Sequence, residues 1–203
     1  MNSKPLIIKN DLDDKVSEFL EYLLEYGGPK LQDYEKFTLI VNSLDPADVD
    51  EFREKIKTIL NVNTLIGHAF VKPYGYPGDF ILLNKIYQFD ASEDPRYKNW
   101  DLLFQNQPAA YAVRNRKDFF IKYCKDLVVR KENAKVLILG SGPASDVYEF
   151  LTDFSGGNNI NIDLIDFDPS AIDFSMKKTR SSTDKLPTTR LMHCVSIHTN
   201  CMT

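Results

Sequence analysis

Lys135-Val-Leu-Ile-Leu-Gly140-Ser-Gly142-Pro-Ala-Ser-Asp146 joins a short apolar run to two glycines one residue apart. Val136 to Leu139 is continuous rather than alternating, the pattern of a parallel strand buried on both faces. Beyond the glycines, Ala144, Val147, Tyr148, Phe150 and Leu151 recur at helical spacing. Strand, glycine turn and helix form the opening unit of a nucleotide-binding α/β fold. Gly140 and Gly142 lack Cβ, so a ligand can approach the backbone there. The following helix start offers free N–H groups and a partial positive charge.

A second run, Asn161-Ile-Asp-Leu-Ile-Asp166-Phe-Asp168-Pro-Ser170, reads as another strand ending in a carboxylate, with Pro169 in the first turn of the next helix. A carboxylate at the end of a second strand accepts hydrogen bonds from both hydroxyls of a ribose. Glycine turn plus acidic strand end make a two-part nucleoside site. The plainer alternative is an ordinary strand–helix–strand unit in which Asp166 caps a helix.

A dinucleotide fingerprint requires a third glycine three residues after the second, and Ser145 stands there. No Gly-Lys-Ser/Thr is present for a triphosphate. The form Gly-Ser-Gly-Pro-Ala, followed by Ile-Asp166-Phe-Asp-Pro, resembles class I S-adenosylmethionine-dependent methyltransferases. The resemblance implies that Gly140 and Gly142 lie against the methionine part of S-adenosyl-L-methionine and that Asp166 holds its ribose. It also places Ser141, Pro143 and Phe167 at the cofactor. Many members carry an acid two residues before the first glycine, and this chain has Ile138.

The 203 residues suit one large or two small domains, and 43% apolar composition allows a substantial core. With 25 basic and 29 acidic residues the net charge is −4, which gives no overall field for nucleic acid or an anionic membrane. No apolar run is long enough for a membrane span, and no basic-then-apolar leader opens the chain. Cys124, Cys194 and Cys201 are an odd, scattered set, as in a reduced cytoplasmic protein. His193, Cys194, His198 and Cys201 match no common zinc spacing, so no metal is expected.

Taken in order, residues 10–26 place Leu12, Val16, Phe19, Leu20, Leu23 and Leu24 on one helix face, stopped by Gly27-Gly28. A second helix is expected over 31–42, with Leu31, Tyr34, Phe37, Ile40 and Val41 inward. Asp45-Pro46-Ala47-Asp48 signals the start of a third, which buries Val49, Phe52, Ile56, Ile59 and Leu60. A fourth spans 62–70 and carries His68 in a structural role. Lys72-Pro73-Tyr74-Gly75-Tyr76-Pro77-Gly78-Asp79-Phe80 is dense in turn residues, and Asp79 can cap the helix of Phe80, Leu83, Ile86 and Tyr87. Residues 90–107 read as irregular, anchored by Trp100. Pro108 opens a helix to about residue 130, with Arg114 and Arg116 flanking its apolar stripe. Their heads either snorkel to water or aim at an anion between the helical and α/β parts. A third strand is expected over 191–197.

Pro-Tyr-Gly-Tyr-Pro-Gly-Asp-Phe, then Ala112-Val-Arg114-Asn-Arg116, then Leu-Gly-Ser-Gly-Pro-Ala is an ordered triple. It resembles bacterial methyltransferases with an N-terminal helical domain, the 3-hydroxypalmitic acid methyl ester biosynthesis group, over roughly residues 72–175. The resemblance implies that Tyr76 and Arg114 border the cofactor and that Tyr74, Asp79 and Arg116 border the acceptor. Arg114 or Arg116 would hold a carboxylate of acceptor or methionine, and Tyr74 or Tyr76 would wall the site. No catalytic base is assigned.

The expected architecture is therefore α/β. A helical cap over residues 1–132 precedes an incomplete Rossmann-like parallel sheet of three strands over residues 133–203. At about 30 residues per strand–helix–strand unit, the resemblance implies a larger sheet and hence a C-terminally truncated chain. The expected function is methyl transfer from S-adenosyl-L-methionine to a small-molecule or fatty-acid-like carboxylate or hydroxyl acceptor. The rival expectation is a non-catalytic relative that acts only through cofactor binding or subunit pairing, with a homo-oligomer covering the open sheet edge.

Overall fold

A computed structural model describes residues 14–153, 160–180 and 191–196. The fold is mixed, mostly helical, with a small parallel sheet. The chain divides into two compact units, residues 1–73 with 91–106 and residues 74–90 with 107–203. The segment 74–90 and the long helix from Pro108 thus group with the sheet, not with the earlier helices. Among the described residues no helix is long and apolar enough to cross a membrane.

In the first unit, α1 (Asp14–Glu25) buries Phe19, Leu20 and Leu23. It stops where Gly28 N–H returns to Leu23 O at 2.7 Å, with Gly27 and Gly28 both at positive φ. Leu12, expected on this helix, lies outside the described residues. A single 3-10 turn, Leu31–Asp33, precedes α2 (Tyr34–Ser43). That tighter turn rotates Leu31 outward to 79% exposure, and Val41 is exposed as well, so two residues expected inward are not. The Asp45–Asp48 signal forms a turn, and α3 (Val49–Lys55) begins after it. Thr64 caps α4 (Leu65–Val71), its Oγ1 accepting Gly67 N–H at 2.9 Å. His68 is buried, in keeping with a structural role.

The largest correction falls at 90–107, which is not irregular throughout: α6 (Lys98–Gln105) lies there. Its charged and amide residues disguise a helix whose buried side includes Asp101 and Gln105. Asp101 accepts Leu65 N–H at 2.7 Å and Ser92 N–H at 2.9 Å, so a buried carboxylate satisfies two backbone donors. Trp100 stands edge-on to Phe37, ring centroids 5.6 Å apart, in a core shared with Phe52, Ile56 and Ile59.

In the second unit, Asp79 caps α5 (Phe80–Tyr87), accepting Ile81 and Leu82 N–H at 3.0 Å each. Pro108 opens α7 (Pro108–Arg130), where its missing N–H costs nothing. β1 (Ala134–Leu139), α8 (Ser145–Asp153), β2 (Ile160–Asp166) and α9 (Pro169–Arg180) follow. β1 and β2 pair in parallel, with Ala134 opposite Ile160 and Leu139 opposite Ile165. The backbone of β3 (Leu191–Ser196) runs parallel beside β2. His198 and Cys201, and the side chains of His193 and Cys194, lie outside the description.

The core of this unit joins Ile121, Cys124 and Val128 of α7, Val147, Phe150 and Leu151 of α8, and Ala134, Ile160, Ile162 and Leu164 of the sheet. β1 alternates instead of being buried throughout. Leu137 and Leu139 are 59% and 71% exposed, while Val136 and Ile138 pack against the core. The continuous apolar run thus misstates the burial, because one face of β1 is open.

Candidate functional site

The glycine turn takes its shape from positive φ at Gly140 (+66°), Gly142 (+55°) and Ala144 (+47°). Glycine adopts that region freely, whereas Ala144 pays about 1–2 kcal/mol for it. A Cβ on Gly140 would meet no atom within 4 Å, so one side of the turn is open; on Gly142 it would lie 3.5 Å from Leu83 Cδ1. Ser141 Oγ is shielded from solvent and makes no hydrogen bond, a state that among the described residues it shares with Trp100 Nε1.

Every backbone donor from Gly140 to Ala144 has a partner within the protein. Gly140 and Ser141 N–H both donate to Ile165 O, at 2.8 and 3.2 Å, and Ala144 N–H donates to Ser141 O at 3.1 Å. Gly142 N–H donates to Asp166 Oδ2 at 2.7 Å, and Pro143 has no N–H. The turn therefore has no amide left over to cradle a phosphate. Phosphate-binding turns work by offering such donors.

Asp166 ends β2 and is only 5% exposed. Its second oxygen, Oδ1, accepts Asp168 N–H at 3.0 Å. An ionised carboxylate at the end of an apolar strand needs such donors. Each oxygen still has capacity for a second hydrogen bond. Asp166 does not cap α9. That is done by Asp168, whose Oδ1 accepts Ser170 N–H at 2.8 Å.

Asp168 Oδ2 also accepts the Tyr76 hydroxyl at 2.8 Å, bringing the 74–79 turn to the strand end. The Tyr76 ring lies edge-on to Phe167 at 5.0 Å, and Phe167 is itself exposed. Burial first, and then the Asp168 bond and the charges of Asp168, Asp166 and Asp79, push the Tyr76 phenol well above its ordinary value. Gly142, Asp166, Phe167, Asp168 and Tyr76 thus form one connected set.

The remaining expected site residues are placed differently. Tyr74 packs edge-on against Phe80 at 4.6 Å and is partly exposed. Asp79 is spent on the α5 cap and is 1% exposed. The Arg114 guanidinium sits 4.9 Å from the Phe89 ring and 4.7 Å from the Tyr111 ring. Arg116 donates to Tyr87 Oη at 3.0 Å. Burial raises the Asp146 carboxyl, its Val147 N–H bond opposes that shift, and the Arg116 charge opposes it as well.

Sequence reading missed a polar group beside the turn. Lys178 Nζ of α9 donates to Ser145 Oγ at 2.8 Å and to Asn84 Oδ1 at 3.0 Å. Ser145 Oγ donates to the same Asn84 oxygen at 2.9 Å. Ser175 Oγ lies 3.0 Å from Gly142 O and 2.9 Å from Ala171 O. The only signal in the sequence was the polar spacing Ser175–Lys178 on an otherwise apolar helix face.

No family model, curated protein or solved structure matches this chain.

Proposed function

We propose that the second unit is a Rossmann-like, methyltransferase-type unit that binds S-adenosyl-L-methionine at the glycine turn and the Asp166 strand end. The observation that carries this reading is the turn's exhausted amide set. A pyrophosphate finds no free backbone N–H there, whereas the ribose of a nucleoside that lacks phosphate calls for acceptors for its hydroxyls. Both Asp166 oxygens retain acceptor capacity for them. The acid-rich strand end of Asp166 and Asp168 also favours a cationic ligand over an anionic one.

The cofactor, when bound, supplies an electrophilic sulfonium methyl group for transfer to an acceptor. Asp166 accepts from the ribose, Gly140 leaves room for close approach, and Ser141 Oγ gains the partner it lacks. Phe167 and Tyr76 wall the site and keep water from it. A carboxylate acceptor, such as that of a fatty-acid-like molecule, is already nucleophilic and needs orientation rather than a general base. Arg114 and Arg116 are left out of the contact set, since their heads engage Phe89, Tyr111 and Tyr87.

Calorimetry on the full chain tests this. S-adenosylhomocysteine should give a saturable heat and NAD none. Heat from NAD alone would reverse the assignment.

A further inference from the structure

The α9 face that looks onto the glycine turn carries more than packing. Ala171, Ser175 and Lys178 fall at i, i+4 and i+7, one face of a helix. Ser175 is 2% exposed, and its single hydroxyl proton is shared between Ala171 O of its own helix and Gly142 O of the turn. One turn on, Lys178 grips Ser145, the first residue of α8, and Asn84 of α5. Its ammonium lies 5.5 Å from the Tyr148 ring. Gly142 is consequently held through both of its backbone polar groups, N–H by Asp166 and C=O by Ser175.

Gly140 and Gly142 have little intrinsic preference for their left-handed conformation, and Ala144 disfavours its own. External bonds must select the shape of the turn, and a half-buried ammonium is a costly way to make one. Burial first, with the nearby Lys117 charge, pushes the Lys178 ammonium below its ordinary value, while the Asp146 and Glu149 charges oppose the shift. That cost is offset by two oxygen acceptors and an aromatic face.

We propose that Ser175 and Lys178 are positioning residues that fix the glycine turn in its binding-competent shape, without touching the ligand. Ser145 is then the residue through which Lys178 acts on the start of α8. Lys178→Met removes the charge and the bonds to Ser145 and Asn84, Lys178→Arg restores a cation with donors, and Ser175→Ala removes the grip on Gly142.

Because this assignment takes the turn to be the seat of S-adenosyl-L-methionine, two readouts are paired on the full chain. One is amide hydrogen exchange at Ser141 and Gly142. The other is the Kd for S-adenosylhomocysteine. Lys178→Met and Ser175→Ala should each speed exchange at the turn but not at Cys124 and Val128 in α7. Each should raise Kd about 3- to 10-fold, the value of one hydrogen bond, with Lys178→Arg close to the parent chain. Unchanged exchange at Ser141 and Gly142 in both variants overturns the assignment, as does loss of Kd with no rescue by arginine. Should Lys178→Met fail to fold, Ser175→Ala decides. If the parent chain binds no S-adenosylhomocysteine, the cofactor reading falls and turn exchange alone decides the positioning role.

Discussion

The Asp166 carboxylate accepts the Gly142 backbone N–H at 2.7 Å, joining the end of β2 to the glycine turn across 24 residues of sequence. With Asp168 N–H on its other oxygen, Asp166 is a structural bracket, and the proposed function makes it the acceptor for a ribose as well.

Asp166→Ala should therefore cost stability as well as ligand affinity. It strands two backbone donors, so unfolding by urea should show a loss of about 1–3 kcal/mol. Binding should weaken by about 1.5–3 kcal/mol. A variant of parental or greater stability would mean the bracket contributes nothing.

The Tyr76 hydroxyl gives a pH signature. Its folded-state pKa is raised above the ordinary 10.0, first by burial and then by Asp168. A raised pKa means the protonated phenol is the form the fold favours. The stabilisation is complete below the unfolded value near 10.0 and is lost as pH rises towards the folded value. Stability of the parent chain should thus fall more steeply above pH 10 than that of Tyr76→Phe, measured by thermal melts across the alkaline range. Parallel profiles would contradict the Tyr76–Asp168 bond.

How far the sequence carried the fold depends on what each residue's partners were. Pro108 and Asp79 act on their own helix ends, so α7 and α5 were legible from them. α6 was not, because Asp101 and Gln105 are polar yet buried, and Asp101 finds its partners at Leu65 and Ser92. The candidate site divides the same way. Gly140, Gly142 and Asp166 could be read from strand–turn spacing. The contacts of Lys178 with Asn84 and of Tyr76 with Asp168 span 94 and 92 residues, beyond any local pattern. Asp168 acts locally as the α9 cap, and its bond from Tyr76 lies beyond any local pattern.

The two faces of the sheet should respond differently to truncation. Ile162→Ala, at a fully buried position, should cost about 2–5 kcal/mol. Leu139→Ala, on the open face of β1, should cost less than about 1 kcal/mol, since little of that side chain leaves water. Equal losses in chemical denaturation would show that the second face is covered too.

The central claim is that a phosphate-free nucleoside seats against the turn and Asp166. Its most direct test is an amide-resolved NMR titration of the full chain with S-adenosylhomocysteine, with NAD in parallel. Saturable shifts should appear with S-adenosylhomocysteine at Gly140, Ser141, Gly142, Asp166 and Phe167, and be absent with NAD. Shifts confined to residues away from the turn, or the same shifts produced by NAD, would contradict it.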